Sequence, residues 1–366
     1  AGEVVALDRP GGVATFRIDH MERAEATLVR AVRVEPGLFE APEVPDSDDE
    51  VPDYVPPVPV LPQFMDLPLL TGDELPHAPH LAITADPWPG TVAVYRAPED
   101  NGYALSALVP ASARIGVTET ALGAARPGLI DRGPALRVRM LSGDLASASL
   151  ERVLNGANLA AIGDGSNENW EVIQFTDASL VAANTWEITG RLRGQAGTDA
   201  VLPQSWPAGS RLVMLDGAVP QPPLPRSARG LERHYRIGPA SRALDDATYV
   251  YEVHAFDGIG LRPLAPVHLA AKWSGGDLDF TWIRRTRVDG DSWQSVEVPL
   301  GEDVESYIVR VVTGTTVHRE ETVSSEGWIY TAAMQTADGV VAPFTLEVAQ
   351  SSASYGAGPF RSLDVA

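Results

Sequence analysis

Cysteine is absent from the 366-residue chain. That excludes disulfides, thiolate metal sites and a cysteine nucleophile, and it fits assembly in a reducing cytoplasm. Lysine is almost absent as well: Lys272 stands alone, and arginine supplies the remaining basic side chains. Basic residues are in deficit overall, 28 Lys and Arg against 49 Asp and Glu, for a formal net charge of −21. A field of that sign keeps the chain soluble and repels phosphate backbones, so no sequence-specific nucleic-acid surface is expected. No apolar run approaches the ~18 residues of a membrane-spanning helix, so no transmembrane segment is expected. P-loop, HExxH and nucleophile-elbow patterns are missing. No initiator methionine or signal-peptide pattern precedes Ala1-Gly2-Glu3-Val4-Val5. That opening reads as the middle of a strand, and the expectation is a fragment of a longer polypeptide or a processed one.

What is present describes a folded protein. Hydrophobic residues make up 44% and charged residues 21%, an ordinary balance for a chain long enough to form two or three domains. The periodicity is that of strands. Residues 1–39 form a short β segment: Val4 and Ala6, then Val13, Thr15 and Arg17, alternate with their neighbours about a Pro10-Gly11-Gly12 turn, and Thr27 to Val34 adds another strand. Two or three strands cannot bury a core alone, so this segment is expected to complete a larger sheet.

Residues 40–63 change character. Glu40, Glu43, Asp46, Asp48, Asp49, Glu50 and Asp53 are interleaved with Pro42, Pro45, Pro52, Pro56, Pro57, Pro59 and Pro62. Fixed φ angles and like-charge repulsion predict a stiff, extended arm.

Residues 64–265 read as a β-rich domain, with a break into two subdomains near 226 after Gln221-Pro-Pro-Leu-Pro225. Its clearest strands are at Leu81–Thr84, Thr91–Tyr95, Ala135–Met140, Trp170–Phe175, Trp186–Thr189, Arg211–Leu215 and Thr248–Phe256. Only Leu150–Asn155 has helical character. Residues 266–366 have the size of one β-sandwich. Leu278, Phe280 and Trp282 alternate along one strand, and Tyr307, Val309 and Val311 along another. Further strands are expected at His268–Trp273, Val317–Val323, Trp328–Tyr330, Phe344–Gln350 and Arg361–Val365. That order resembles a fibronectin type III domain, with Trp282 and Tyr307 as core aromatics. The fold class is therefore all-β: several small domains joined by proline-rich linkers, ending in a fibronectin III-like sandwich.

Candidate chemistry is sparse. His77 and His80 lie close in sequence, but in a proline-rich loop without the spacing of a zinc pair. Asp289-Gly290-Asp291 lacks the later bidentate glutamate of a calcium loop. Gly163-Asp164-Gly165-Ser166-Asn167-Glu168 precedes a strand rather than opening a helix, so it cannot cradle a phosphate. Asp164 and Glu168 are the one carboxylate pair to weigh for glycoside hydrolysis, against the plainer reading of solvated loop residues. Trp88, Trp206 and Trp293 have rings that suit sugar stacking, although sandwich cores use Trp more often. No catalytic, cofactor or metal residue is assigned, and no cofactor is expected. Trp293 and Trp328 are the residues assigned to glycan or receptor contact.

Several segments together resemble a known family. They are Leu154-Asn-Gly-Ala-Asn158, Trp170-Glu-Val-Ile-Gln-Phe175, Leu192-Arg-Gly-Gln-Ala-Gly-Thr198, Arg284-Arg-Thr-Arg-Val-Asp-Gly-Asp-Ser-Trp293 and Val298-Pro-Leu-Gly-Glu302. The family is the tail-tip "megatron" protein of gene transfer agents, also described as phage tail or host-specificity proteins. Gly2-Glu-Val-Val and Arg30-Ala-Val-Arg-Val-Glu-Pro36 resemble the end of its upstream tail hub domain. The resemblance implies a structural, non-enzymatic part of the tail tip or baseplate of a virion-like particle. It implies a homotrimer, other tail-tip proteins as partners, assembly in the host cytoplasm, and a role in host attachment and DNA delivery. The alternatives are a module of the tip that binds a receptor or cell-surface polysaccharide, and a cell-wall glycan hydrolase.

Overall fold

The computed structural model describes residues 2–35, 58–290 and 298–366. The chain divides into two compact units, Ala1–Val55 and Pro56–Ala366. No described helix is long and apolar enough to cross a membrane.

The first unit is an antiparallel meander of β1 (Val4–Arg9), β2 (Gly12–Arg23) and β3 (Thr27–Arg33). Gly11 and Gly12 turn the chain at φ +122° and +119°, values that suit only glycine. Ile18 is buried, while Val13, Met21, Leu28 and Val32 stay exposed. A three-stranded sheet has no second layer on which to bury them.

The acidic, proline-rich arm lies mostly outside the described residues, and its expected end at 63 moves. Val60 is already buried, and β4 (Leu61–Met65) begins within the proposed arm. Apolar side chains at 60, 64 and 65 draw this stretch into the second unit.

The second unit opens with β4 and β5 (His80–Thr84), a two-stranded ladder. It lies over a four-stranded antiparallel sheet of order β18-β17-β6-β7. These are β6 (Val92–Ala97), β7 (Ala104–Val109) and, far along the chain, β17 (Arg233–Pro239) and β18 (Val250–His254). Phe64 anchors the two layers, its ring centroid 4.8 Å from Tyr235 and 5.4 Å from Phe256. Position 226 is not a break: Leu224, Ala228 and Tyr235 share one core with Phe64, Leu81 and Val94. The first domain is built from both ends of 58–265, because its sheet takes β6 and β7 from one side of the intervening segment and β17 and β18 from the other.

That intervening segment is a barrel. Its elements are β8 (Ile115–Thr118), β9 (Leu122–Gly123), β10 (Ile130–Asp131), β11 (Leu136–Met140), α1 (Leu150–Leu154), β12 (Leu159–Gly163), β13 (Trp170–Ala182), β14 (Thr185–Gln195), β15 (Ser205–Trp206) and β16 (Arg211–Met214). The ladders run β14-β11-β8-β16-β12-β13, and β13 pairs back to β14, so the sheet closes on itself and six strands lose their free edges. Alternation fills the interior with Leu136, Val138, Met140, Ala160, Ile162, Ile173, Phe175, Ile188, Leu212 and Met214. A Cβ at Gly116 would stand 2.7 Å from Val138 Cγ1 and 2.8 Å from Met140 Sδ, so the lining leaves room there for glycine alone. Residues on the opposite face, Ile115, Ala161, Trp170 and Val213, pack on Met65, Leu67 and Ala82 of the first domain. The barrel enters and leaves the domain at one place: Met214 N donates to Arg114 O at 3.0 Å, and Arg114 pairs with Asp216 at 2.8 Å.

The last domain is a sandwich. One sheet has order β19-β20-β23, from β19 (Val267–Ser274), β20 (Asp277–Ile283) and β23 (Gly327–Tyr330). The other has order β22-β21-β24, with β25 and β26 both on β24. Its strands are β21 (Tyr307–Thr313), β22 (Thr316–Val323), β24 (Phe344–Ser352), β25 (Gly356–Ala357) and β26 (Arg361–Val365). The expected strands are all present, and Leu278, Phe280, Trp282, Tyr307, Val309 and Val311 form the core. A helix that periodicity misses, α2 (Ala332–Asp338), follows β23, capped by Thr331 Oγ1 and closed by Gly339 at φ +65°. All-β architecture in several small domains is thus what the chain adopts.

Candidate functional site

Three loops meet in an open cleft of about 390 Å³ between the first domain and the barrel. Ala85, Asp86 and Trp88 come from the turn after β5. Met140 to Asp144 come from the end of β11, and Asn184 from the β13–β14 turn. Local geometry fixes this floor. Asn184 sits at φ +54°, a region that asparagine tolerates, and its carbonyl accepts from Met140 N at 2.7 Å. Leu141 N donates to Ile115 O at 2.8 Å, Ser142 Oγ bonds Ala113 O, and Arg114 Nη1 donates to Asp144 O at 3.1 Å. Trp88 packs part of its ring on the first core and lines the cleft with the rest. Among the described residues, the side chains of Asp86, Asp144 and Asn184 and the Trp88 indole N–H make no hydrogen bond. The cleft therefore combines an aromatic surface with unspent polar groups and no cationic side chain.

Inside the barrel lies a different kind of cluster. Arg193 meets Glu171 through Nε at 2.6 Å and Nη2 at 2.8 Å, and Glu171 also accepts from Trp206 Nε1 at 2.7 Å and Gly194 N at 3.0 Å. Arg191 binds Asp131 at 2.9 Å and donates to the carbonyls of Pro134 and Ile188. Both arginines are fully buried. Every charge here is matched by an opposite one and by backbone groups, which is the condition for burying ions at all.

The residues singled out from sequence do not converge. Trp328, assigned to ligand contact, is a core residue: it is 8% exposed, stacks on Tyr330 at 5.3 Å, and donates Nε1–H to Glu321 at 3.0 Å. Strand alternation turns it inward with Tyr330, so it is withdrawn as a contact residue. Trp293 lies outside the described residues. Trp206 is spent on Glu171. Of the two sugar-stacking candidates among the described residues, Trp88 lines a cleft and Trp206 does not. Asp164 accepts from Ser166 N at 2.9 Å and Asn169 Nδ2 at 2.7 Å. Burial pushes its carboxyl up, but these bonds outweigh burial and hold it below the usual value, which is wrong for a general acid. His77 bonds the Leu224 carbonyl at 2.9 Å, whereas His80 is buried in β5, so the two imidazoles serve separate packing roles. Among the described residues, no cluster of His, Asp and Glu is placed to hold a metal.

Trp273 is an exposed aromatic that the sequence reading did not single out. It is 46% exposed and lines a shallow groove with Gln335, Val341 and Phe344.

Comparison with protein families gives one result. Residues 113–213 match the family described as Rcc01698-like, C-terminal. The match opens just before β8 and closes within β16, so it covers the barrel and less than half of the chain. It is consistent with a gene-transfer-agent-like protein. No curated protein matches the chain.

Proposed function

We propose that this chain is a structural component of the tail tip or baseplate of a phage-like particle of the gene-transfer-agent kind. It supports host attachment and DNA delivery and has no enzymatic role of its own. The observation that carries this reading is the family match to a closed barrel whose buried charges are matched within it. Glu171, Arg193, Asp131 and Arg191 hold strands together as two ion pairs. Short β domains packed on one another suit a load-bearing part, and a homotrimer with other tail-tip proteins as neighbours would stabilise each domain by mass action.

The test is localisation. Gold-labelled antibody against this chain, applied to purified particles, should decorate the distal end of the tail, and light scattering of the isolated chain should give the mass of a trimer. Label on the capsid, or particles lacking the chain altogether, would overturn the proposal.

The open cleft at Trp88 favours a second reading beside the first: the chain also holds a receptor or polysaccharide at the tip.

A further inference from the structure

We infer that the cleft formed by Asp86, Trp88, Ser142, Asp144 and Asn184 is a carbohydrate subsite that takes a neutral hexose unit of a polysaccharide. The inference rests on the second reading above and names its site and ligand class.

Four features lead there. A pyranose ring has an apolar face of C–H groups and a rim of hydroxyls. Trp88 offers ring surface to the face, while Asp86, Asp144 and Asn184 offer acceptors, and Asn184 a donor as well, to the rim. These groups are not engaged by the protein. The rival groove at Trp273 lacks that property: Gln335 Nε2 is committed to Gly276 O and Tyr330 O, and Thr336 Oγ1 to Ala332 O.

Size is the second feature. The volume of about 390 Å³ lies in the range of small-ligand clefts, which favour domain junctions such as this one. Rigidity is the third. The floor is held by the main-chain bonds of Met140, Leu141 and Asp144, so little ordering is left for binding to cost. Charge is the fourth. The lining holds two carboxylates and no basic side chain; neighbouring Arg114 reaches the Asp144 carbonyl through Nη1 at 3.1 Å, but its charge is matched by Asp216, 3.0 Å from Nε and 2.8 Å from Nη2. On a chain of net charge −21, such a cleft repels uronic-acid or sulfated polymers and admits uncharged ones.

The experiment is calorimetric titration of the full chain with maltohexaose, cellohexaose and mannohexaose, with a galacturonic acid hexamer as the acidic control. At least one neutral oligosaccharide should bind and the acidic one should not. Trp88→Ala should weaken binding roughly tenfold, about what one aromatic contact contributes. Because Trp88 also touches the core, Asn184→Gly, which removes the side-chain amide but keeps the positive φ of the turn, and Asp144→Asn provide independent variants, each with weaker binding and an unchanged circular dichroism spectrum. Trp273→Ala should bind like the wild type. Neutral-sugar binding that survives Trp88→Ala, Asp144→Asn and Asn184→Gly would overturn this site yet leave the polysaccharide-binding reading standing. Absence of binding to every neutral oligosaccharide removes both. Preference for the acidic hexamer overturns the ligand class.

Discussion

Arg193 and Glu171 form a forked ion pair inside the barrel, Nε to Oε1 at 2.6 Å and Nη2 to Oε2 at 2.8 Å, with both side chains withdrawn from solvent. Removing one partner strands the other charge in the core. Glu171→Gln should therefore destabilise the chain by about 3–5 kcal/mol, read from the midpoint of urea unfolding. The double variant Glu171→Gln/Arg193→Met should recover much of that loss, because no ion is then left buried alone. A single variant as stable as the wild type would show that the fork is not needed to hold the barrel.

A second prediction concerns pH. Burial pushes the Asp66 carboxyl up to about 6 from 3.8, although Gly258 N and Ile259 N donate to it at 2.7 and 2.8 Å. Burial pushes the His80 imidazole down to about 4 from 6.5. The two act with opposite sign over the same window. Asp66 stabilises the protonated folded state, and that contribution is lost as pH rises from about 4 through 6. The His80 contribution is present above about 6.5 and is lost as pH falls through 4. The opposing contributions of Asp66 and His80 should thus nearly cancel in the wild type between pH 4 and pH 6.5. Asp66→Asn should leave stability that rises with pH, and His80→Gln stability that falls with pH, each by roughly 2–3 kcal/mol across the window. Urea midpoints at pH 4.5 and pH 7 for both variants check the signs; equal slopes in the two variants would refute the assignment.

Trp282 fills the centre of the last sandwich, with its ring centroid 5.2 Å from those of both Phe280 and Tyr307. Trp282→Ala should cost about 3–5 kcal/mol through the cavity it leaves. Trp273→Ala, on an exposed ring of the same domain, should cost far less. Thermal melts of both variants decide the matter, and similar losses would mean that the two rings are equally packed.

Asp199 fastens the barrel to the last sandwich. Its carboxylate meets Arg285 Nη1 at 2.9 Å and lies 3.7 Å from Arg361 Nη2. Asp199→Ala leaves both guanidinium groups without this partner, at a cost of about 1–3 kcal/mol. Amide exchange should quicken in β26 and around Arg285 while the barrel strands stay protected. Unchanged exchange at these segments would mean that Asp199 is not needed to hold the junction.

The last domain was the most legible part of the sequence, because Leu278, Phe280 and Trp282 and then Tyr307, Val309 and Val311 alternate cleanly between a wet and a dry face. The barrel was less so. Its strands were partly visible at Ala135–Met140 and Trp170–Phe175, but closure depends on the pairing of β13 with β14 and on short strands such as β8, where Gly116 shows no hydrophobic signal. The split first domain was hidden for a related reason: β6 pairs with β17 across the whole barrel segment, and local periodicity carries no information about such distant partners. The α2 helix did leave a trace, Thr331 at its start and Gly339 at its end, but seven residues give too few turns for a periodic stripe. The cleft could not be read in advance. Trp88 was noticeable as a ring, yet Asp86, Asp144 and Asn184 reach it from separate loops. Trp328 misled because an aromatic near a turn looks the same in sequence whether it points inward or outward.

The hydrogen bond from Met214 N to Arg114 O places the two ends of the family-matched segment side by side. A unit whose ends touch is a cassette. It can be excised and its host strands rejoined by a short loop, or exchanged for another closed unit, without rerouting the sheet that carries it. The residues that match the family model, 113–213, span this one closed unit from edge to edge.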